Sequence, residues 1–329
     1  MELMRNQLFM RGWKPTLKSF SMRLKINRKM AFILFFHEVI IKLCITQNAS
    51  DKHFDKIHEV IEKYLKTESY MECLEKNIVL SKPNHHDISN ISPIWICWWQ
   101  GENAMPEIVK VCYQRILKFA GNHPVLLVTL DNYKEYVNFN PKVISKFENK
   151  ELLPAHLADL LRLKLLDSYG GLWLDATIFL SRPLDENVFE YDFYSLSNDC
   201  KNHISVSNFR WCSFVLGCKK GNPLMHSLAV AFEKYIVQES CFIHYLVIDY
   251  FIDMLYKHND YVRNLIDGLP SGGRFLHTLR ELYSHSFDRI LFDNMLADTK
   301  YFKLTYKENL IEKTQSGEET FYSHLKNLK

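Results

Sequence analysis

Asp159, Arg162 and Asp175 lie within a largely apolar stretch at 157–184, LADLLRLKLLDSYGGLWLDATIFLSRPL, and could form a charged site. Asp159 and Arg162 are three residues apart, so on a helix they share a face and can pair. Asp175 lies in an apolar run typical of a buried strand, where an isolated carboxylate carries a large desolvation cost. Such a residue persists best at a strand end, where it meets a cation, a hydroxyl or a ligand. A structural ion pair and a carboxylate capped by backbone N–H groups remain the plainer alternatives.

A helix and a strand must position these side chains. The pattern predicts a helix over 155–168 that ends at Gly170 and Gly171, because glycine adopts the left-handed conformation after a last turn at little cost. A strand is predicted over 172–180. Because side chains alternate along a strand, Trp173, Asp175 and Thr177 should face the same side of its sheet.

Strands and helices alternate on both sides of this stretch. Further strands are predicted at 94–99, 124–130 and 211–217. A helix should begin at Pro106, and Asn222 with Pro223 should cap and open another helix that continues to Ile236. This alternation predicts an α/β fold with a largely parallel sheet, in which ligands bind beyond the carboxyl ends of the strands.

The basic charge of the chain is concentrated at its amino terminus. The net charge is only +3, which does not indicate a nucleic-acid-binding protein. Residues 1–30, however, contain eight Lys or Arg side chains against Glu2 alone. With an apolar series at Leu17, Phe20 and Leu24, this pattern predicts a basic amphipathic helix that lies on an anionic membrane surface. A helix that packs on the domain, with solvated charges, is the alternative.

A loop at 81–93, SKPNHHDISNISP, separates a helical region from the α/β pattern. We therefore predict an amphipathic helical extension over 1–90 and an α/β domain over 91–329. His85, His86 and Asp87 could suggest a metal site, but they lack partners at ligand spacing, which favours a surface loop. The eight cysteines form no CxxC pair, and no apolar run indicates a secretory signal or a membrane span. This composition favours a reduced, cytoplasmic setting.

One family shares the central group of residues. In order, the group is His156-x-x-Asp159-x-x-Arg162, then Tyr169-Gly170-Gly171-x-Trp173-x-Asp175-x-Thr177, then Pro183. It resembles the central motif of the bacterial capsular polysaccharide synthesis glycosyltransferases. Those enzymes are similar in turn to glycosyltransferase family 32 and to the sugar-transferring domains of the large clostridial toxins. The segments 94–114 and 214–225 resemble the first strand with its loop and the region after the motif, so the resemblance covers 90–310.

The resemblance implies a GT-A fold, which is a Rossmann-like, nucleotide-sugar-binding sheet flanked by helices, here with a helical N-terminal extension. It matches Asp175 to the first acid of the family's Asp-x-Asp motif, as the catalytic residue and a ligand of a divalent metal ion. It places Trp99 on the nucleobase, Asp159 on the sugar hydroxyls and Arg162 on the sugar or phosphate. The other donor-binding residues that it implies are Gln100, Gly101, Gly170, Gly171, Trp173 and Thr177.

Thr177 occupies the position at which most related transferases have a second acid that helps to bind Mn²⁺ or Mg²⁺. Its neutral hydroxyl is a weaker ligand for a hard cation. Either Asp175 binds the ion together with a ligand from the C-terminal part, or positive side chains replace the ion at the diphosphate. Lys303, Lys307 and His324 are candidates that could fold back over the phosphates, and solvated surface charge is the plainer alternative for each of them.

The implied activity is the transfer of a hexose from a UDP-linked nucleotide-sugar to a hydroxyl of a capsule or lipopolysaccharide precursor, with retention of configuration. The acceptor would be lipid-linked, and the enzyme would lie in the cytoplasm, on the inner face of the membrane, with no nucleic-acid partner. The alternatives are a non-catalytic nucleotide-sugar-binding protein and an assembly partner that acts at a membrane surface. A Rossmann nucleoside enzyme is disfavoured, because WWQGENAM has one glycine where that fold needs a Gly-rich turn.

Overall fold

The computed structural model describes residues 13–44, 47–80, 91–198, 203–308 and 310–328, so His85, His86 and Asp87 lie outside the described residues. The helices are α1 Trp13–Arg23, α2 Arg28–Leu43, α3 Gln47–Thr67, α4 Tyr70–Leu80, α5 Glu107–Phe119, α6 Pro141–Glu148, α7 Pro154–Tyr169, α8 Pro223–Gln238, α9 Val247–His258, α10 Asp260–Asp267, α11 Thr278–Glu281, α12 Arg289–Asp298 and α13 Phe321–Lys326. The strands are β1 Ile94–Cys97, β2 Val125–Val128, β3 Gly171–Leu174, β4 Ile178–Leu180, β5 Phe193–Tyr194, β6 Val215–Cys218 and β7 Tyr301–Lys303. Within the described ranges, every helix is too short or too polar to cross a bilayer.

A five-stranded sheet in the order β2-β1-β3-β6-β5 forms the centre of the fold. β1 runs parallel to both β2 and β3, while β6 is antiparallel to β3 and β5. The chain passes from β1 to one neighbour, β2, and returns to the other, β3. The carboxyl ends of β1 and β3 therefore flank the point where the strand order reverses, at which open α/β sheets bind ligands. The predicted α/β class is confirmed.

Helices and a second, smaller sheet cover the two faces of this sheet. On one face, Trp95 and Trp173 pack into a core with α7, α8, α9 and the amino-terminal helices. On the other face, Ile96 and Leu174 pack with α5, β4 and β7. β4 and β7 form a two-stranded antiparallel sheet of their own. The central strands are thus buried on both sides, as parallel strands require.

Helix α7 is the helix that the sequence predicts over 155–168. Pro154 lies in its first turn, and it ends at Gly170, whose φ of 68° is in the left-handed region that favours glycine. Helix α8 begins at Pro223, and the Asn222 side chain accepts a hydrogen bond from the Met225 N–H at 3.1 Å. Both predicted helices and the Asn222 cap are confirmed.

The single strand predicted over 172–180 is wrong. Asp175, Ala176 and Thr177 form a turn between β3 and β4, which belong to different sheets. In this turn the Ile178 N–H donates to the Asp175 carbonyl at 2.8 Å. The turn lacks the Gly and Pro residues that usually mark a break in a strand, so the pattern did not show it.

The strand predicted at 211–217 also differs from the structure, because β6 begins only at Val215. Val215 pairs with Leu174, which is the last residue of β3. Residues 211–214 are not part of a strand and end in a turn. In this segment, Ser213 and Phe214 lie beside the Asp175 turn.

The amino-terminal helices share a core with the α/β domain. α4 packs on α8, and its Leu74 and Ile78 lie in the same core cluster as α7 and α9. α3 adds Ile57 and Ile61 to this cluster. Further out, α1 packs on α2 and α2 packs on α3. Residues on both sides of positions 81–90 therefore share one core, and the division of the chain at residue 90 stays a prediction.

Candidate active site

A cavity of about 370 Å³ opens at the carboxyl ends of β1 and β3, within the size range of ligand sites. Trp98, which follows β1, and Asp175, which follows β3, both line it. Helix α7 contributes Asp159 and Arg162, and Lys303 reaches the cavity from the end of β7. The charged residues in its wall therefore come from elements that are distant in sequence.

Arg162 is a buried cation in the cavity wall, with its side chain only 7% exposed. Its Nη2 lies 2.6 Å from an Asp159 carboxylate oxygen and 3.7 Å from an Asp175 oxygen. Its Nη1 donates to the Ser213 carbonyl, and its guanidinium lies 5.2 Å from the centre of the Trp173 ring. The ion pair predicted from the helical spacing of Asp159 and Arg162 is confirmed. These contacts hold a positive charge in a fixed position.

Asp175 is held in the turn by hydrogen bonds to three other residues. Its Oδ1 accepts the Trp173 indole N–H at 2.9 Å, and its Oδ2 accepts the Lys303 ammonium at 2.6 Å. Its backbone N–H donates to the Phe214 carbonyl at 3.0 Å. The side chain is 26% exposed, and it lines the cavity. Asp175 is therefore a fixed carboxylate that a ligand can reach.

Lys303 joins the Asp175 turn to the small sheet. Its Nζ donates to Asp175 and also, at 2.9 Å, to the Thr177 hydroxyl. The pairing of Ile178 with Lys303 in the β4–β7 sheet brings this lysine to the cavity. An ammonium has three donors. The two bonds to the turn leave one donor that can contact a ligand.

The three carboxylates in the wall differ in how readily they ionise. Burial opposes the ionisation of Asp175, but Lys303 and Arg162 outweigh this effect and hold its pKa below the usual value. Burial raises the pKa of Asp159 to about 6, with Arg162 opposing the rise and Asp175 adding to it. Burial also raises the pKa of Asp249 to about 6. Near neutral pH, Asp175 is thus firmly ionised, whereas Asp159 and Asp249 take up protons at slightly lower pH.

The family of the protein follows from comparison with known proteins. Residues 41–325 match the family described as capsular polysaccharide synthesis protein. The chain belongs to this family. The resemblance of the central motif to that family is confirmed, while the similarity to glycosyltransferase family 32 and to the toxin domains stays a prediction.

A more limited similarity links the chain to a protein of Legionella pneumophila subsp. pneumophila (strain Philadelphia 1). The subversion of eukaryotic traffic protein A of this organism is 32% identical over 85 residues, which are 26% of this chain and 13% of that protein. The similarity therefore concerns a segment and not the whole of either protein. No solved structure matches the chain.

The described cavity residues do not fit the divalent metal ion that the resemblance implies. Both Asp175 oxygens accept N–H groups, and Asp159 is paired with Arg162. In the part of the chain that the structure describes, no three His, Cys, Asp or Glu side chains are grouped so that they could hold a metal ion. Beside Asp175 lies the Lys303 ammonium, which would repel a divalent cation. Of the two alternatives for the diphosphate charge, this arrangement favours a positive side chain.

The two tryptophans after β1 have different environments. Trp98 lines the cavity, and its ring meets that of Tyr306 edge to face, with centroids 5.2 Å apart. Trp99, the residue predicted to stack on the nucleobase, is 7% exposed and donates its indole N–H to the Pro154 carbonyl at 2.9 Å. Burial of Trp99 among core side chains argues against that stacking. Trp98 is the member of the pair that a ligand could contact.

The glycines predicted to bind the donor lie away from the cavity. Gly170 and Gly171 are at the amino end of β3, whereas Asp175 follows its carboxyl end. A Cβ on Gly171 would lie 2.1 Å from the Pro93 carbonyl oxygen, and one on Gly170 would lie 2.5 Å from the backbone N of Lys220. Close backbone packing therefore explains both glycines. Gln100 and Gly101 are in a turn after β1, outside the described wall.

Of the three cations predicted to reach the phosphates, the structure brings Lys303 into the wall and leaves the other two outside it. Lys307 is exposed, with its ammonium 5.5 Å from the centre of the Tyr306 ring. His324 lies on α13, where its ring stacks on Phe287 at 3.7 Å. Tyr306 is the last residue of this segment that lines the cavity, and α13 packs on α5.

Besides Trp98, sequence reasoning missed other residues of the wall, among them Tyr245, Asp249 and Tyr306. Asp249 is buried and accepts the Trp211 indole N–H at 2.8 Å. An acid inside the apolar run VIDYFIDML was a usable signal, because an acid buried in a helix needs a partner. The two tyrosines gave no comparable signal, since aromatic residues near the surface are common and only the fold brings these two to the cavity.

Proposed function

We propose that this protein is a glycosyltransferase with a GT-A arrangement, which transfers a sugar from a nucleotide-sugar to a hydroxyl of a capsule or lipopolysaccharide precursor. Membership of the capsular polysaccharide synthesis family supports this chemistry. The position of the cavity supports it too, since nucleotides bind at the point of strand reversal in open α/β sheets.

The observation that carries the proposal is the position of Asp175 between Lys303 and Arg162 in an open cavity. A nucleotide-sugar brings a diphosphate whose negative charge grows as the sugar leaves. Fixed cations near that charge lower the barrier, because they need no reorganisation during the reaction. In this proposal Asp175 keeps both cations in place, and Lys303 directs its remaining donor at the diphosphate.

The bond changes follow from the chemistry of the donor. The bond between the anomeric carbon and the diphosphate oxygen breaks, and a bond from the acceptor oxygen to the same carbon forms. The acceptor proton passes to the departing diphosphate, which accounts for retention of configuration without a nucleophile from the protein. Asp159 orients the sugar by accepting hydrogen bonds from its hydroxyls, and Trp98 supplies an aromatic contact at the mouth of the cavity.

A donor screen tests this proposal. The full-length chain is incubated with UDP-, GDP- and dTDP-linked sugars, with EDTA or with Mn²⁺, and both its melting temperature and the release of free nucleotide are measured. We expect one nucleotide-sugar to stabilise the protein and to be cleaved, because a ligand that binds only the folded state raises its stability. Cleavage in EDTA would support the role given to Lys303.

Other outcomes contradict the proposal in different ways. Stabilisation without cleavage, even when saccharide acceptors are added, would assign the chain to the non-catalytic binding alternative. If no nucleotide-sugar changes the melting temperature and none is cleaved, the assignment of the cavity to a donor is wrong.

A further inference from the structure

The α1–α2 hairpin carries an apolar strip that no other described part of the chain covers. Trp13 and Leu17, one turn apart on α1, are 48% and 51% exposed, while Phe32 and Phe36, one turn apart on α2, are 60% and 59% exposed. Phe20 joins the two pairs, since its ring centroid lies 5.1 Å from that of Phe32. We call these five residues the hairpin face. Contiguous exposed apolar surface of this kind marks an interaction site.

The hairpin that carries this face has a large excess of positive charge. Residues 13–44 contain seven Lys or Arg side chains and a single acid, Glu38. Glu38 pairs with the buried Arg23 at 2.6 Å, so it does not neutralise the exposed cations. The exposed cations of this segment are Lys14, Lys18, Lys25, Arg28 and Lys29.

We infer that the hairpin face docks on the surface of an anionic lipid bilayer. Exposed Trp, Phe and Leu side chains bordered by Lys and Arg are the composition of helices that lie in the headgroup region, where lipid phosphates meet the cations. The hairpin lies on the bilayer and does not cross it, since neither helix has the length and apolar character of a span.

Charge complementarity favours lipid over the other occupants of such a surface. A second copy that docked face to face would bring two strongly positive surfaces together, and like charges oppose this contact. A nucleic acid would satisfy the cations, but the aliphatic and aromatic strip would find little to bury against phosphates. An anionic bilayer meets both requirements of the hairpin face at once.

The hairpin contacts the segment that leads to the rim of the cavity. The Arg23 Nε donates to the Ile243 carbonyl at 2.8 Å. Shortly after, Tyr245 and Leu246 line the cavity, and Tyr245 is 56% exposed. Docking therefore holds the cavity mouth close to the lipid surface. If the proposed transfer is correct, on which this last step rests, the acceptor is a saccharide linked to a lipid in the same membrane.

Vesicle co-sedimentation tests the docking independently of any transfer. The full-length chain is mixed with vesicles of phosphatidylcholine alone or with about 30% phosphatidylglycerol, at low and at high salt. We expect binding at least about tenfold tighter to the anionic vesicles, and weaker binding at high salt, because salt screens surface charge. Phe32→Ser with Phe36→Ser should weaken binding to anionic vesicles about tenfold, and Lys14→Gln with Lys18→Gln should do the same.

Matched controls lie on other surfaces of the protein. Ile290→Ser removes an apolar side chain that is 76% exposed on α12, and Lys110→Gln removes an exposed lysine from α5; neither should change binding. Equal binding to both vesicle types, or binding that neither double variant weakens, would overturn the inference. Self-association that the Phe32 and Phe36 substitutions abolish, in a chain that does not bind vesicles, would assign the hairpin face to a second copy instead. Donor cleavage measured without vesicles separates a failure of docking from a failure of the proposed transfer.

Discussion

The two ends of β3 differ in what they require of the sequence. At the amino end, Gly170 and Gly171 approach the backbones of Lys220 and Pro93 so closely that no side chain fits. At the carboxyl end, the Asp175 turn opens into a cavity, and its carboxylate is held by Lys303 and by the Trp173 indole. At the amino end, the lack of space for a side chain limits the residue type to glycine. At the carboxyl end, the neighbouring cation favours an acid.

This difference shows that one short motif can serve two purposes. In the segment GGLWLDAT, the glycines let the strand begin against a neighbouring backbone, while the acid and its neighbours form the wall of a site. A substitution at the amino end should therefore change the free energy of unfolding, whereas one at the carboxyl end should change activity. Four experiments test this separation.

The largest effect is expected from Asp175→Asn. The amide keeps the size of the side chain but removes the charge that holds Lys303 and Arg162, so we expect donor cleavage to fall about a thousandfold, or about 4 kcal/mol. The variant should remain folded and cooperative in thermal unfolding. Asp293→Asn, which breaks a surface pair with Arg289, is the matched control and should leave the rate unchanged. Cleavage at the wild-type rate by Asp175→Asn would remove this residue from the mechanism.

Gly171→Ala should have the largest effect on folding. Its φ is 93° and its Cβ would overlap the Pro93 carbonyl, so we expect a loss of about 3 kcal/mol or more in the free energy of unfolding. Gly101→Ala is a matched comparison, because its φ of 82° is similar but no atom lies within 4 Å of the added Cβ. It should cost about 1 kcal/mol. Urea unfolding measures both values, and equal costs would show that packing at Gly171 is not the cause.

Lys303→Gln should reduce activity without unfolding the protein. We expect donor cleavage to fall about a hundredfold, because a charge-assisted contact to the diphosphate is removed. Lys307→Gln, at an exposed position nearby, should change the rate about twofold at most. The comparison separates the two lysines that the sequence predicted for the same role. Similar losses in both variants would refute the assignment to Lys303.

The smallest effect is a pH dependence at the charged end. Asp159 and Asp249, whose pKa values are about 6, are ionised above pH 6 and protonated below it. Protonation removes negative charge near the diphosphate, so donor affinity should rise about fivefold as the pH falls from 7.5 to 5.5. Calorimetric titration with the donor at the two pH values measures the change.

Asp249→Asn should make this profile shallower, because only Asp159 still titrates, and so serves as its control. An affinity that stays constant or falls with falling pH in the wild type would contradict the prediction. The stability of the fold should change with pH in the same direction as donor affinity. Both folded pKa values lie above the usual 3.8, so the contribution of these acids to the free energy of unfolding falls as the pH rises from 3.8 to about 6.

Much of the local structure could be predicted from the sequence. Helix α7, its end at Gly170 and the Asp159–Arg162 pair follow from spacing and from glycine conformation, which are properties of neighbouring residues. The Asn222 cap of α8 follows from the same kind of rule. The α/β class follows from the alternation of elements. Each of these features depends on interactions over a few residues.

The turn at Asp175 and the membership of the cavity wall could not be predicted in this way. Trp98 and Trp99 are adjacent and chemically identical, and only the path of the chain after β1 assigns one to the cavity and the other to the core. Lys303 reaches Asp175 because β4 pairs with β7 in one register. A shift of that register would place a different side chain beside the carboxylate.

The sequence by itself determined helices α7 and α8, the Asn222 cap, the fold class and the presence of an acid that needed a partner. Local rules suffice for these, because backbone conformation and side-chain spacing act within a few residues. Only the tertiary structure decided that the partner of Asp175 is Lys303, since that pair joins residues far apart in the chain. It also decided that the exposed apolar strip of α1 continues onto α2, because burial depends on which surfaces the rest of the fold covers.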